Sequence, residues 1–279
     1  MKKIVVTLVS LAVCTAMLSA QDLKSVTDAF NAAAGAFGNG NKVEALSGFQ
    51  KVLTEAAVLG DEGAEIVGKC KNFIPNLMCS IAKDTFKAGD LEGAIVKAKE
   101  ALAAAKEFEI DELVASCQKT LGQFLLQKGN NALNAKDFAT AIASYEDLLD
   151  ADATNGIAAL RLGMALSGSG DTAGAEEAFK QAAANGQEAT ANKQLGKLIL
   201  KDAQKAYTSG NFQQAIDSAL ESVNYAPTAA AYKIAGNAAA QIKNFKDAIT
   251  YMSKYLELDP AAKDAAQTKA NIEAFKKAL

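Results

Sequence analysis

Residues Thr228 to Pro260 read TAAAYKIAGNAAAQIKNFKDAITYMSKYLELDP. Tyr232, Ala235, Gly236 and Ala239 fall at the i, i+3, i+4, i+7 spacing of one buried helical face. Asn244 then interrupts the pattern with a side-chain oxygen suited to capping free backbone N–H groups. A second apolar stripe follows through Phe245, Ala248, Ile249, Met252, Tyr255 and Leu256, and Pro260, which lacks an N–H, ends it. The stretch is therefore a helical hairpin. A hairpin of this kind cannot bury both apolar sides alone, and it needs similar units stacked on it.

Working outward, the chain supplies them. A turn at Gly38-Asn39-Gly40-Asn41 separates a helix over 22–37 from a stripe of Val43, Ala45, Leu46, Phe49, Val52 and Leu53. A longer helical run with Pro75 inside it, either kinked or split there, leads through Lys87-Ala88-Gly89-Asp90 to Leu91, Ala94, Ile95, Ala98, Ala101 and Leu102. Residues 110–133 form another long first helix, and Asp137 caps its partner. Compact fourth and fifth units turn at Ser169-Gly170-Asp171 and Gly210-Asn211-Phe212. The final residues, 261–279, carry few apolar positions (Ala265, Ile272, Phe275, Leu279) and a lysine-rich opposite face, as a polar end cap requires.

A small residue near the start of each second helix marks the register: Ala45, Ala94, Ala141, Ala175, Ala215 and Ala248, at intervals of 49, 47, 34, 40 and 33. Two intervals lie close to a 34-residue period, and the excess in the others precedes the first helices. Over roughly 22–260 this pattern of small and large residues resembles the tetratricopeptide repeat family, most closely in the fourth and sixth units. Gly163 and Gly236 stand at the family's helix glycine, Ala175 and Ala248 at its alanine, Phe179 at its large residue, and Pro227 and Pro260 at its terminating proline. Tyr232 replaces the usual tryptophan, and Tyr255 is bulky where a small residue is customary. The resemblance implies an all-α, right-handed solenoid of about six helix-turn-helix repeats over 21–260, closed by a C-terminal capping helix over 261–279. It also implies that Gly163 and Ala175 permit close helix approach while Phe179 fills space toward the next unit.

Composition suits a soluble all-helical chain with a long continuous core. Half of the 279 residues are hydrophobic, 22% are charged, and only three are proline. The chain contains no histidine, which removes the commonest general base and metal ligand and argues against an enzyme. No cofactor or metal is expected. Met1 to Ala20 combines two lysines, an apolar run from Ile4 to Val13 and a small-residue exit at Ser19-Ala20, the pattern of a cleaved secretory signal. That run falls short of the ~20 residues that span a bilayer. Lipidation at Cys14 is the alternative, and it alone would attach the protein to a membrane. Cleavage after Ala20 leaves 27 basic residues (29 less Lys2 and Lys3) against 32 acidic, a net charge of −5 that disfavours nucleic acid. The implied location is exported and periplasmic.

Three cysteines remain after such cleavage: Cys70, Cys79 and Cys117. Cys70 and Cys79 lie half a turn out of phase and about 13 Å apart along one helix, too far for a disulfide. Cys117 could meet either of them, or all three could be small buried apolar residues. The carboxylates Asp111-Glu112, Glu176-Glu177 and those within 55–65 sit opposite the apolar stripes as solvated surface.

In the resembling family the first helices line the inner surface. On that basis Phe86, Leu126, Asn130, Leu133, Leu160, Met164, Leu200, Gln204 and Tyr207 are the candidate partner-binding groove, several of them with a competing reading as core. Lys233 and Asn237 resemble the pair with which some family members clamp a partner's terminal carboxylate. The implied function is a non-enzymatic scaffold in a bacterial cell envelope that binds a protein or peptide segment in a concave groove. The alternative is a periplasmic carrier of a small apolar or glycan ligand, which an enclosed pocket would distinguish from an open trough.

Overall fold

The computed structural model describes residues 20–279, so the apolar leader, with Cys14, lies outside the described residues. Thirteen α-helices and no strand occur among the described residues. Twelve form six consecutive hairpins: α1 (Ala20–Gly38) with α2 (Lys42–Val58), α3 (Ala64–Lys87) with α4 (Leu91–Glu107), and α5 (Asp111–Asn134) with α6 (Phe138–Ala151). There follow α7 (Gly156–Ser169) with α8 (Thr172–Ala182), α9 (Glu188–Thr208) with α10 (Phe212–Tyr225), and α11 (Ala229–Gln241) with α12 (Phe245–Leu258). The last helix is α13 (Ala265–Lys277). The chain divides into two compact units, one ending at Leu121 and one running Gly122–Leu279, and α5 contributes to both.

One turn geometry makes all six hairpins. The residue that ends each first helix takes a left-handed backbone conformation: Gly40, Gly89, Gly170 and Gly210 at φ 78 to 96°, and Lys136 and Lys243 at φ 59°. An Asn or Asp follows each of them, and its backbone N–H reaches back to a carbonyl of the helix just ended, Asn41 to Ala36, Asp90 to Thr85, Asp137 to Ala132, Asp171 to Leu166, Asn211 to Ala206 and Asn244 to Ala239, at 2.9–3.2 Å. Four of these Asn or Asp side chains then cap the next helix. Asp90, Asp137, Asp171 and Asn244 accept from the N–H of Gly93, Thr140, Gly174 and Asp247. In these four turns the end of one helix and the start of the next are thus satisfied within two residues, whereas Asn41 and Asn211 make no side-chain cap.

The six marker alanines are all fully buried, so each second helix approaches its neighbours to near backbone contact. Gly163 lets α7 and α8 approach closely, as expected. A Cβ there would lie 2.6 Å from the Phe179 ring, so the glycine is the seat of that ring within its own hairpin. Gly236 receives Met252 in the same way, and Gly129 receives Tyr145, whose hydroxyl donates to Asn130 Oδ1 at 2.9 Å.

In the first unit, α1, α2 and α3 share a core of Val26, Phe49, Val52, Cys70, Ile74 and Leu77. Phe30, Phe49 and Phe73 form an aromatic trio there, with Phe49 and Phe73 stacked at 5.1 Å. Pro75 is buried inside a continuous α3, so the helix is not split. In the second unit, core clusters pass from one hairpin to the next. One joins α5, α6, α7 and α8 through Ala132, Tyr145, Leu162 and Ala178, and another joins α7, α8 and α9 through Leu160, Phe179, Leu195 and Leu198. A third joins α9 to α12 through Ala206, Ile216, Ala239 and Ala248. Burying each large side chain contributes about 1.5–3 kcal/mol. The exposed ion pairs, such as Lys69–Glu65 and Lys180–Glu176, add only about 0–1 kcal/mol each. Residues 183–187 carry the extra length of the fourth interval. Asn185 (φ −109°, ψ 39°) and Gly186 (φ 83°) bend the chain between α8 and α9, and Gly156 leaves room for the Asn185 carbonyl.

A lysine in the left-handed region bears a cost of roughly 1–2 kcal/mol that glycine does not. Lys243→Gly should therefore raise unfolding stability by about 0.5–1 kcal/mol, the glycine's extra unfolded-state entropy taking back part of the gain. Chemical denaturation checks it, and a loss of stability would show that the Lys243 side chain itself holds the turn.

Candidate interaction surface

Successive first helices of the second unit are joined by shared clusters, so their uncovered sides form neighbouring strips. The structure sorts the candidate residues on those strips by exposure. On α5, Leu126 and Leu133 are half-buried flanks of the α5–α8 cluster. Asn130 is half-buried and turned toward its own hairpin by the bond from Tyr145. On α7, Leu160 is 8% exposed and belongs to the core, so it is not a groove residue. Met164, one turn along, is half-buried at the edge of that cluster. On α9, Leu200 and Tyr207 are half-buried and Gln204 is exposed. The Tyr207 ring meets Phe212 edge-on at 5.7 Å, which fixes it at the rim of the hairpin. Phe86 falls in the first unit, where it is 38% exposed at the end of α3.

Leu200 also lines a cleft of about 330 Å³ between α9 and the α10–α11 junction. Its walls include Gly196, Tyr225, Ala226 and Pro227, with Lys193 and Lys197 beside them. Gly196 lets α9 approach α10, since a Cβ there would lie 2.9 Å from that of Ala226. The combination is an apolar recess flanked by two exposed lysines on consecutive turns of α9. The family resemblance pointed to Leu200 but not to Tyr225 or the lysines, because the recess depends on the break at Pro227 between two hairpins. A broad trough of about 1000 Å³ lies in the first unit, along Gly40 to Lys51 and Ile81 to Thr85.

Lys233 has a partner within the chain. Its Nζ lies 2.7 Å from Asp264 Oδ2 and 5.4 Å from the centre of the Tyr255 ring, and the Tyr255 hydroxyl donates to Asp264 Oδ1. Asp264, immediately before α13, thereby occupies the carboxylate position that a clamp reading of Lys233 leaves for a partner. The bulky Tyr255, a departure from the family pattern, is 4% exposed and builds this link. Phe275 stacks on Phe245 at 5.0 Å and Ile272 is 7% exposed, so α13 docks on the sixth hairpin. Lys233 foremost, and then Tyr255, hold the Asp264 carboxyl below its ordinary range.

Among the described residues no helix is long and apolar enough to cross a membrane, and no group of three or more Cys, Asp or Glu is placed to hold a metal ion. The geometry is that of an all-α helical-hairpin repeat protein. Residues 126–190 and 200–263 match the sequence pattern of the family described as Tetratricopeptide repeat, and over those residues the chain carries tetratricopeptide repeats. A tetratricopeptide-repeat protein from Bacteroides fragilis has a similar structure, at 15% identity and a TM-score of 0.51, over 74% of this chain and 99% of its own. MamA is 23% identical over 64% of this chain and 95% of its own, with a TM-score of 0.38. YrrB, described as having an unusual peptide-binding site, is 18% identical over 70% of this chain and 91% of its own, with a TM-score of 0.37. No curated protein matches the chain by sequence.

A carboxyl depressed by folding stabilises above its unfolded value, ordinarily about 3.9, and the stabilisation is lost as pH falls through the folded value. Docking of α13 should weaken on acidification below about pH 4. Asp264→Asn should show a shallower acid dependence, read as the difference between wild-type and variant melting curves from pH 6 to 3. Parallel curves would mean that Asp264 holds nothing.

Proposed function

We propose that the protein is a non-enzymatic adaptor that binds a segment of another protein along the first-helix face of its second unit. Tetratricopeptide proteins mediate protein–protein interaction and are generally non-enzymatic. The observation that carries the reading is the recess at Leu200, where half-buried apolar side chains sit beside Lys193 and Lys197. Leu126, Leu133, Met164 and Tyr207 extend an apolar strip from it, and Gln204 offers polar contacts. The favoured partner is an extended or helical segment with apolar anchors and an acidic flank, engaged as helical grooves engage their targets. The first-unit trough is open to solvent, which favours a scaffold over a carrier.

A photo-crosslinking residue at Leu200 or Lys197, introduced in cells, should capture the partner, and one at exposed Gln214 on α10 should not. Leu200→Ala and Tyr207→Ala should then each lower affinity by about 1–4 kcal/mol. Melting of the same proteins separates anchoring from packing, since a core side chain would cost about 3–5 kcal/mol of stability instead. Capture through α10 alone would move the surface to the second helices.

We place the protein in the cell envelope on the strength of the leader sequence Met1 to Ala20. The exported protein should begin at Gln21 and be freely soluble, as intact-mass measurement will show. A species beginning at an acylated Cys14 would put it on a membrane instead.

A further inference from the structure

Two cysteines from different hairpins meet inside the first unit. Cys79 on α3 and Cys117 on α5 are 5% and 1% exposed, and their Sγ atoms are 2.8 Å apart. That is a thiol–thiol contact closer than ordinary packing of unbonded sulfur, and a bond at about 2.05 Å is reached by a shift of less than about 1 Å. We propose that Cys79 and Cys117 are a disulfide site that ties the first helix of the second hairpin to the first helix of the third. Cys70, nine residues earlier on α3, is buried in the α1–α3 core and remains a thiol.

The surroundings fit this chemistry. Thr120, 3% exposed, sits one turn after Cys117, its hydroxyl donating to the Ser116 carbonyl at 3.1 Å. The Cys79 thiol is drawn below its usual range, chiefly by the hydrogen bond with Cys117 and further by the Lys83 charge, so it is the partner that ionises first. Cys117 is pushed upward by the same pairing and by burial. Burial alone pushes Cys70 up to about 11, which keeps it an unreactive thiol. Two sulfurs with a threonine and a lysine as neighbours also lack the ligand set of a structural zinc site.

The reaction joins the two Sγ atoms and removes both thiol hydrogens. The two electrons and two protons pass to an incoming disulfide, a small-molecule or protein disulfide of an oxidising compartment, which leaves as two thiols. Because both sulfurs are buried, the exchange takes place while α3 and α5 are still separating and meeting during folding. The packed structure then holds the product. The bond closes a loop between residues 38 apart, long enough for a substantial constraint on the unfolded chain.

The test uses the full chain, refolded with oxidised glutathione and digested without reductant. A peptide pair linked through Cys79 and Cys117 is expected, with Cys70 open to alkylation only after denaturation. Reductant should lower the Tm of this protein by roughly 5–15 °C and leave the double variant Cys79→Ser/Cys117→Ser unmoved. Cys70→Ser should retain the link. Recovery of Cys79 and Cys117 as alkylated thiols after oxidation, or a Cys70–Cys117 link, would overturn the proposal.

Discussion

Everything in this fold depends on reversing a helix within three residues. The reversal is the same six times. A left-handed residue turns the chain, the next N–H reaches back to the preceding helix, and an Asn or Asp begins the next one. The turn fixes the angle and offset of each pair. Only then can an alanine at the start of every second helix bring backbones together, and only with backbones that close can Phe179 or Met252 fit over a glycine. Small residues set the spacing, and the few large ones fill what is left.

The turns were legible in the sequence because their chemistry is local. Gly-Asn and Gly-Asp pairs between apolar stripes announce a reversal, and the marker alanines gave the register of all six hairpins. Two turns are built on Lys136 and Lys243, where no glycine signals the left-handed step, and there the capping Asp137 and Asn244 together with the stripes carried the reading. Pro75 was ambiguous because its effect depends on the packing around it. Buried in α3, it is accommodated in a continuous helix, with Asn72 and Asn76 side chains bonding to carbonyls of the turns before it.

The interaction surface was less legible, for a physical reason. Periodicity separates a buried face from an exposed one, but it does not say which half-buried residue looks into a recess. Leu160 and Met164 lie one turn apart on α7, yet the first is core and the second is not. The Leu200 recess exists because two hairpins part at Pro227, and the Cys79–Cys117 contact exists because α3 and α5 are in register. Both are properties of the stacking, which sequence spacing alone leaves open.

The link between Lys233 and Asp264 changes what the last hairpin can receive. A carboxylate carried on the same chain acts at an effective concentration that, for short flexible tethers, is on the order of millimolar. A carboxylate in free solution must displace it to reach Lys233. Asp264 therefore works as a built-in competitor, and the end of the repeat array is closed to carboxylate-bearing tails that bind no better than the chain binds itself.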